Sequence, residues 1–306
     1  MSILVCGSLA FDSIAVFPGR FSEQILPSQL HILNVSFLVP ELRREWGGCA
    51  GNIAYNIAGL GGEAIVVATV GSDGGGYVER LQAQGIATSR VRRVEAALTA
   101  QAYIVTDADN NQITAFHPGA MQHSHETRIS ADCGAALAIV APDGREAMLQ
   151  HAEQLARAAI PFVFDPGQGL PMFDGAELRR FIDLATWVAV NDYEARMLTD
   201  RTGLEIGAIA AQLAARATTS GVVVTLGAEG CEVWQDRTRT PIAAAAPSAV
   251  VDPTGCGDAF RGALLLGLER GLSLARAAAW GNRLGAIKIA QRGGQNHTFD
   301  TASPAP

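Results

Sequence analysis

Asp252-Pro253-Thr254-Gly255-Cys256-Gly257-Asp258 runs directly into Ala259–Leu268, an apolar stretch with helical spacing. Glycines on either side of one residue permit a tight turn with its N–H groups exposed. The first N–H groups of the helix that follows have no intrahelical acceptor and carry the positive end of the macrodipole. The turn is therefore an anion site. Asp258 stands at that helix start. A carboxylate there can take a proton from an attacking hydroxyl while the amides hold a charged phosphoryl group. It can also be a plain N-cap, with glycines that only close a loop. The stretch alone leaves both readings open.

Outward from this turn, short apolar runs alternate with helical patterns. Ile3–Cys6, Ala64–Val70, Leu137–Ala141, Phe162–Phe164, Trp187–Val190 and Val222–Leu226 read as buried strands. Ala50–Gly59, Val78–Gln84, Glu146–Ala159 and Ile206–Ala217 carry helical spacing. This alternation predicts an α/β fold, a mostly parallel central sheet with helices on both faces. Two regions break the rhythm. Ser13 to Glu45 contains three prolines and no long helix. Leu98 to Phe116 reads as two strands, Ala100–Thr106 and Gln112–Phe116, around a polar turn. Together they suggest a small β-rich lid. The chain then reads as a single domain, 1–306, with lid segments inserted at about 13–45 and 98–118. The tail after His297 is expected to fray.

Composition narrows the function. A chain of 306 residues with 48% hydrophobic content buries a sizeable core. The net charge of −7 argues against nucleic acid as the main partner, since phosphate neutralisation needs a basic surface. No run approaches the ~18 apolar residues of a membrane span, and the first residues lack the basic start of a secretory signal. Five scattered cysteines without a C-x-x-C pair fit a reducing cytoplasm rather than a disulfide scaffold or a zinc site. Lys288 is the single lysine and Ile289 follows it, so there is no Walker A loop. Protein-kinase catalytic motifs are missing, and no G-x-G-x-x-G follows the first strand.

Further candidates accompany the turn. Gly47-Gly48-Cys49-Ala50-Gly51-Asn52 allows close approach of a ligand to backbone, and Asn52 offers a donor and an acceptor suited to a diol. Asp12 follows the first strand, where open α/β sheets bind ligands, and can accept bonds from sugar hydroxyls. Asn191 and Glu194 follow another strand and suit a hydrated Mg²⁺, or an ordinary helix start. Thr225 to Gly230 suits phosphate contact or a hairpin turn. Cys256 reads as a small side chain in a tight turn, not a nucleophile. His123 and His125 lack a third metal ligand nearby.

The combination resembles the PfkB (ribokinase-like) family of carbohydrate and nucleoside kinases along nearly the whole chain. The family's Asp-Thr-x-Gly-Ala-Gly-Asp signature stands here as Asp252 to Asp258, with Pro253 and Cys256 as departures. Its Gly-Gly pair and Asn match Gly47, Gly48 and Asn52, and its Asn-x-x-Glu matches Asn191 and Glu194. The resemblance implies a ribokinase-like α/β domain with a β-rich lid, and transfer of the γ-phosphoryl of ATP to a primary hydroxyl. Asp258 would be the base, and the N–H groups of Gly255, Cys256 and Gly257 the anion hole. Asp12, Gly47, Gly48 and Asn52 would hold substrate hydroxyls. Asn191 and Glu194 would place Mg²⁺ and phosphate, with Glu194 acting on the metal indirectly. Thr225, Gly227, Gly230 and Asn282 would line the nucleotide site. A monovalent cation, K⁺, would take oxygens from Asp252 and Thr254 and backbone near Gly293.

The similarity is greatest to bacterial nucleoside kinases of the adenosine kinase type, through Phe17–Phe21, Trp46–Asn52 and Phe116–Met121. Phe17, Phe37 and Phe116 would form an apolar wall for a nucleobase. A sugar or sugar-phosphate kinase is the alternative acceptor reading, with Arg20, Arg43 and Arg44 available for a phosphate. A non-catalytic binding protein on the same fold is a further alternative. The family includes monomers and homodimers.

Overall fold

The computed structural model describes residues 1–25, 32, 34–109 and 111–299. The first strand already dictates the layering. β1 (Ser2–Cys6) sends Ile3 and Val5 into one core and Leu4 and Cys6 into the other, each at most 1% exposed. Side chains alternate along a strand, so a strand buried on both faces needs a helical layer on each.

β2 (Ala10–Val16), a one-turn α1 (Phe21–Gln24) and β3 (Glu41–Gly47) come next, then α2 (Cys49–Gly59), β4 (Ala64–Gly71), α3 (Gly75–Ala83) and β5 (Ala87–Val94). β6 (Ala100–Thr106) and β7 (Gln112–His117) precede β8 (Ala135–Val140), α4 (Arg145–Arg157), β9 (Phe162–Phe164) and α5 (Gly175–Leu184). The rest runs β10 (Trp187–Asn191), α6 (Asp192–Thr202), α7 (Ile206–Ala214), β11 (Gly221–Thr225), β12 (Cys231–Gln235), β13 (Thr238–Ile242), α8 (Cys256–Glu269) and α9 (Leu274–Ile289).

Nine strands form the large sheet in the order β13-β12-β11-β10-β9-β8-β1-β4-β5. β5 through β11 in that order are parallel, and β12 and β13 add an antiparallel edge. One core packs α2, α3, α8 and α9 against the sheet, and the other packs α4, α5, α6 and α7. This is the expected ribokinase-like α/β architecture. The chain builds outward from β1 to β4 and β5, then crosses to β8 on the other side, so strand order reverses between β1 and β8. Ligands of open parallel sheets bind at the carboxyl ends beside such a switch. Gly7, Asp165, Asn191 and Thr225 all stand at or just past the carboxyl ends of β1, β9, β10 and β11.

A second sheet, β3-β2-β6-β7, has antiparallel outer pairs around a parallel β2–β6 pair. Its residues lie within the two stretches that broke the helical rhythm, extended at Ala10–Asp12, at Trp46–Gly47 and at His117. Among the described residues no helix is long and apolar enough to cross a membrane. The chain after His297 was expected to fray, but its first part is docked. Phe299 packs on Tyr55 and on the buried His297, with ring centroids 5.3 and 4.9 Å apart. The last seven residues lie outside the described range.

Candidate active site

α8 starts at a left-handed Gly255, φ 78°. An L-residue is disfavoured there, which is why glycine stands at the turn. The N–H groups of Gly255, Gly257 and Asp258 have no protein acceptor among the described residues and are free to meet an anion. The Cys256 N–H, expected to join them, instead closes the turn onto the Pro253 carbonyl at 3.1 Å. Asp258's own amide takes its place in the set. The Cys256 thiol is pushed up to about 11, chiefly by burial, so it is a spectator in the turn.

The Asp258 carboxylate accepts from Asn52 Nδ2 at 2.7 Å. Burial pushes its pKa up to about 6; the Asn52 bond pulls it back, Asp165 adds to the rise and the Arg261 guanidinium opposes it. Such a carboxylate is ionised at neutral pH yet basic enough to accept a proton. Asn52 was expected on the substrate. In the structure its amide is engaged with protein at both ends, since Oδ1 accepts from Gln295 Nε2 at 3.1 Å. Gln295 also donates to Tyr77 at 2.6 Å, and Tyr77 donates to the Gly47 carbonyl at 2.6 Å. Asn52 therefore positions the Asp258 carboxylate, and a buried polar chain from Gly47 positions Asn52.

Arg261 is the group that sequence reading missed. It lies one turn after Asp258 on the inner face of α8, only 5% exposed, and makes a bidentate pair with Asp165 at 2.9 Å for both contacts. A single charge inside the apolar run Ala259–Leu268 was the available signal. The guanidinium also lies 4.0 Å from Glu194. Burial alone would lower the Arg261 pKa, but Asp165 outweighs it and Arg261 stays charged. This places a fixed cation behind the anion-binding turn.

Asn191 and Glu194 form a reciprocal capping box at the start of α6. Asn191 Oδ1 accepts from the Glu194 N–H at 2.7 Å, and Glu194 accepts from the Asn191 N–H at 2.8 Å. The structural alternative for this motif is thus present. It does not displace the metal reading: each Glu194 oxygen holds one Asn191 donor at 2.8–2.9 Å and keeps a lone pair for water. Burial, then Asp165, raises the Glu194 pKa. The pair fits a hydrated Mg²⁺ held through water.

On the acceptor side, Asp12 on β2 pairs across the small sheet with Glu45 on β3 and Ala102 on β6, and Ala102 pairs with Phe116 on β7. Cross-strand partners share a face, so Glu45, Asp12 and Phe116 line one side of the sheet. Burial, then Glu45 and Asp252, pushes Asp12 up to about 6. A Cβ at Gly47 would collide with the Asp12 carboxylate, and one at Gly48 would stand 2.5 Å from the Ser8 carbonyl oxygen. Gly48 thus lets the end of the lid strand pack on the chain after β1, and Gly47 leaves the room that the Asp12 carboxylate occupies.

Phe17 and Phe37 meet at 5.0 Å, together with Phe21, in a cluster of their own. Phe116 has no part in it and is 52% exposed on β7. The expected three-residue wall is thus two separate features. Arg20 is held by Asp109 at 3.0 Å, Arg44 stacks on Phe11 at 3.7 Å, and Arg43 lies between Glu45 and Asp252 at 3.5 and 3.9 Å. Each of these arginines already has an acidic or aromatic partner.

On the nucleotide side, Leu226 to Gly230 forms the hairpin joining β11 to β12, closed by Leu226 N–H to the Gly230 carbonyl at 2.8 Å. A side chain at Gly230 would collide with the Ile242 carbonyl, so this glycine admits β13. Gly227 faces open space and Thr225 caps the β11 outlet. Asn282 ties α9 to the chain after β13, donating to the Ile242 and Ala243 carbonyls at 3.3 and 3.0 Å.

A helix start with free N–H groups and a buried carboxylate beside it is the arrangement that a phosphotransferase acting on a hydroxyl needs. A model of the pfkB family of carbohydrate kinases matches residues 9–302, and the chain belongs to that family. A nucleoside kinase from Burkholderia thailandensis, solved in complex with inosine, is 48% identical with a TM-score of 0.87, covering 98% of this chain and 94% of its own. The Methanocaldococcus jannaschii nucleoside kinase structure is 26% identical with a TM-score of 0.87, covering 98% and 95%. A nucleoside kinase from Methanothermobacter thermautotrophicus is 28% identical over 304 residues, covering 98% of this chain and 93% of that protein.

Proposed function

We propose that this protein transfers the γ-phosphoryl group of ATP to the primary 5′-hydroxyl of a nucleoside. Asp258 accepts the hydroxyl proton, and the amides of Gly255, Gly257 and Asp258 hold the phosphoryl oxygens as charge develops on them. Asn52 fixes the base, and Arg261, paired with Asp165, braces the turn at the Gly257 carbonyl. Mg²⁺ would neutralise the ATP phosphates, with Glu194 holding its water shell. The small sheet acts as a lid that excludes water and keeps ATP from hydrolysis.

The observation that carries the acceptor assignment is the register of the lid sheet. Asp12 and Phe116 share a face and stand two strands apart, about 10 Å. That is the reach of a ribose held at its hydroxyls with a base against the aromatic ring. Arg43 is already held between Glu45 and Asp252, and Arg20 and Arg44 have partners of their own, so none of the three is left for a sugar phosphate. The Burkholderia relative binds inosine. All five cysteines are free thiols, and we place the protein in the reducing cytoplasm.

ADP release with Mg-ATP tests the reading against adenosine, inosine, guanosine, cytidine, ribose, fructose and fructose phosphates. Turnover confined to nucleosides is the expected result. Turnover on a sugar would keep Asp258 as base and move the acceptor. Silence across the panel with intact ATP binding would overturn the kinase reading.

A further inference from the structure

Lys288 is buried at 0% exposure, and it is the chain's single lysine. Its Nζ donates to the Asp252 carbonyl at 2.7 Å and to the Gln291 carbonyl at 3.1 Å. It stands in the last turn of α9, where the helix dipole favours a cation. The same helix end holds the 251–252 segment, because the Val251 and Asp252 N–H groups both donate to the Ile289 carbonyl at 2.9 and 3.1 Å. A Cβ at Gly255 would lie 3.8 Å from Lys288 Cε, so the side chain runs beneath the anion-binding turn.

These groups are the ones that the family resemblance would assign to K⁺, and they do not fit it. Asp252 Oδ1 accepts from the Thr254 N–H and Oδ2 from the Gly293 N–H, both at 2.9 Å. The Asp252 and Gln291 carbonyls already hold the ammonium. A second cation in that cage would meet a like charge at close range in a desolvated setting. A primary ammonium resembles a potassium ion in size and, like it, is satisfied by a shell of oxygens. Every other basic residue here is arginine, whose planar fork cannot act as a compact point charge.

We propose that Lys288 is a built-in replacement for the monovalent cation, a positioning residue that holds the Asp252–Thr254 segment and so orients the amides of Gly255–Asp258. This rests on the kinase reading above, and it makes the enzyme independent of K⁺.

Three measurements test it. Turnover of the unmodified protein should be the same in potassium chloride as in choline chloride; activation by K⁺ overturns the proposal. Lys288→Ala should lose about 100-fold or more in kcat in choline chloride, with a smaller change in acceptor KM, and should regain activity in K⁺ or NH₄⁺. Full activity in choline, or no rescue of a folded variant, overturns it. Melting supplies a readout that needs no turnover. K⁺ should raise the melting temperature of Lys288→Ala and of the neutral Lys288→Met less or not at all, and should leave the unmodified protein unchanged. If the kinase reading itself fails, turnover is absent in every salt, while the ion-linked melting still decides the role of Lys288.

Discussion

Asn52 Nδ2 lies 2.7 Å from Asp258 Oδ2 although 206 residues separate them. One residue opens α2 behind the lid strand and the other opens α8 behind the anion-binding turn. Their contact joins the acceptor side of the site to the phosphoryl side. It also lowers the Asp258 pKa against the effect of burial, because a donor on a carboxylate favours the charged form.

Removing that donor should raise the Asp258 pKa further above about 6. The acid limb of the kcat profile in Asn52→Ala should therefore move to higher pH. A charge-assisted bond of this kind is worth about 1.5–3 kcal/mol. Its loss raises the pKa by roughly 1–2 units, so the ionised fraction at pH 7, and kcat with it, should fall roughly 2- to 15-fold and recover toward pH 9. A profile that falls uniformly without shifting would show that Asn52 acts on something other than the base.

Asp12 should govern acceptor binding and leave ATP binding alone. Its pKa of about 6 comes first from burial and then from Glu45 and Asp252. Protonation below that pH removes hydrogen-bond acceptors for sugar hydroxyls, so acceptor KM should climb as pH falls through about 6. Asp12→Asn should show a raised acceptor KM that no longer depends on pH in that window, with the ATP KM unchanged. Steady-state kinetics with each substrate varied in turn checks both halves.

How much of this was legible in the sequence follows from how local each feature is. The turn at Gly255–Asp258 is local: two glycines and a helix start announce an anion site before any contact is known. β1 is local too, since four consecutive apolar residues bounded by Gly7 describe a strand covered on both faces. The Asn52–Asp258 bond is not, and a lone asparagine in a glycine loop looked like a substrate contact. Arg261 was hidden by the apolar run that carries it, and its partner Asp165 by a three-residue strand. β2 and β3 were passed over because Asp12 and Ser13 interrupt the apolar run of β2, β3 is mostly charged, and Pro18, Pro27 and Pro40 mark the chain between them as loop. The direction of the Cys256 amide depends on the backbone turn itself, which residue identity does not report. Lys288 was noticed only for the motif it fails to make, because its place among carbonyls arises when the end of α9 meets Asp252.

The Arg261–Asp165 pair should separate stability from activity. Both side chains are about 5% exposed, so Arg261→Met strands an unpaired carboxylate, at a cost of roughly 3–5 kcal/mol. Adding Asp165→Leu should recover most of that loss, because a buried pair exchanged for apolar groups is often nearly neutral. Activity should stay low in both variants, since the guanidinium that reaches the Gly257 carbonyl at 3.5 Å and braces the turn is gone. Urea unfolding beside turnover measures the two effects. Recovery of activity in the double variant would show that Arg261 does not position the turn.

Asp143, just past β8, should give the protein a pH-dependent liability outside the site. Its Oδ1 accepts from Ser124 Oγ and from the Gly144 N–H at 2.8 Å each, while Oδ2 is buried without a partner among the described residues. Burial pushes its pKa up to about 7, against those two bonds. The folded state therefore holds a proton that the unfolded chain, with an ordinary aspartate near 3.9, has already released. The stabilisation is complete below about pH 4 and is lost as pH rises through about 7. Asp143→Asn keeps the acceptor for Ser124 and removes the ionisation. Its unfolding free energy should gain on that of the unmodified protein between pH 5 and pH 7.5, by denaturant titration. An equal slope in both proteins would mean that Asp143 is already ionised in the fold, with an unseen donor on Oδ2.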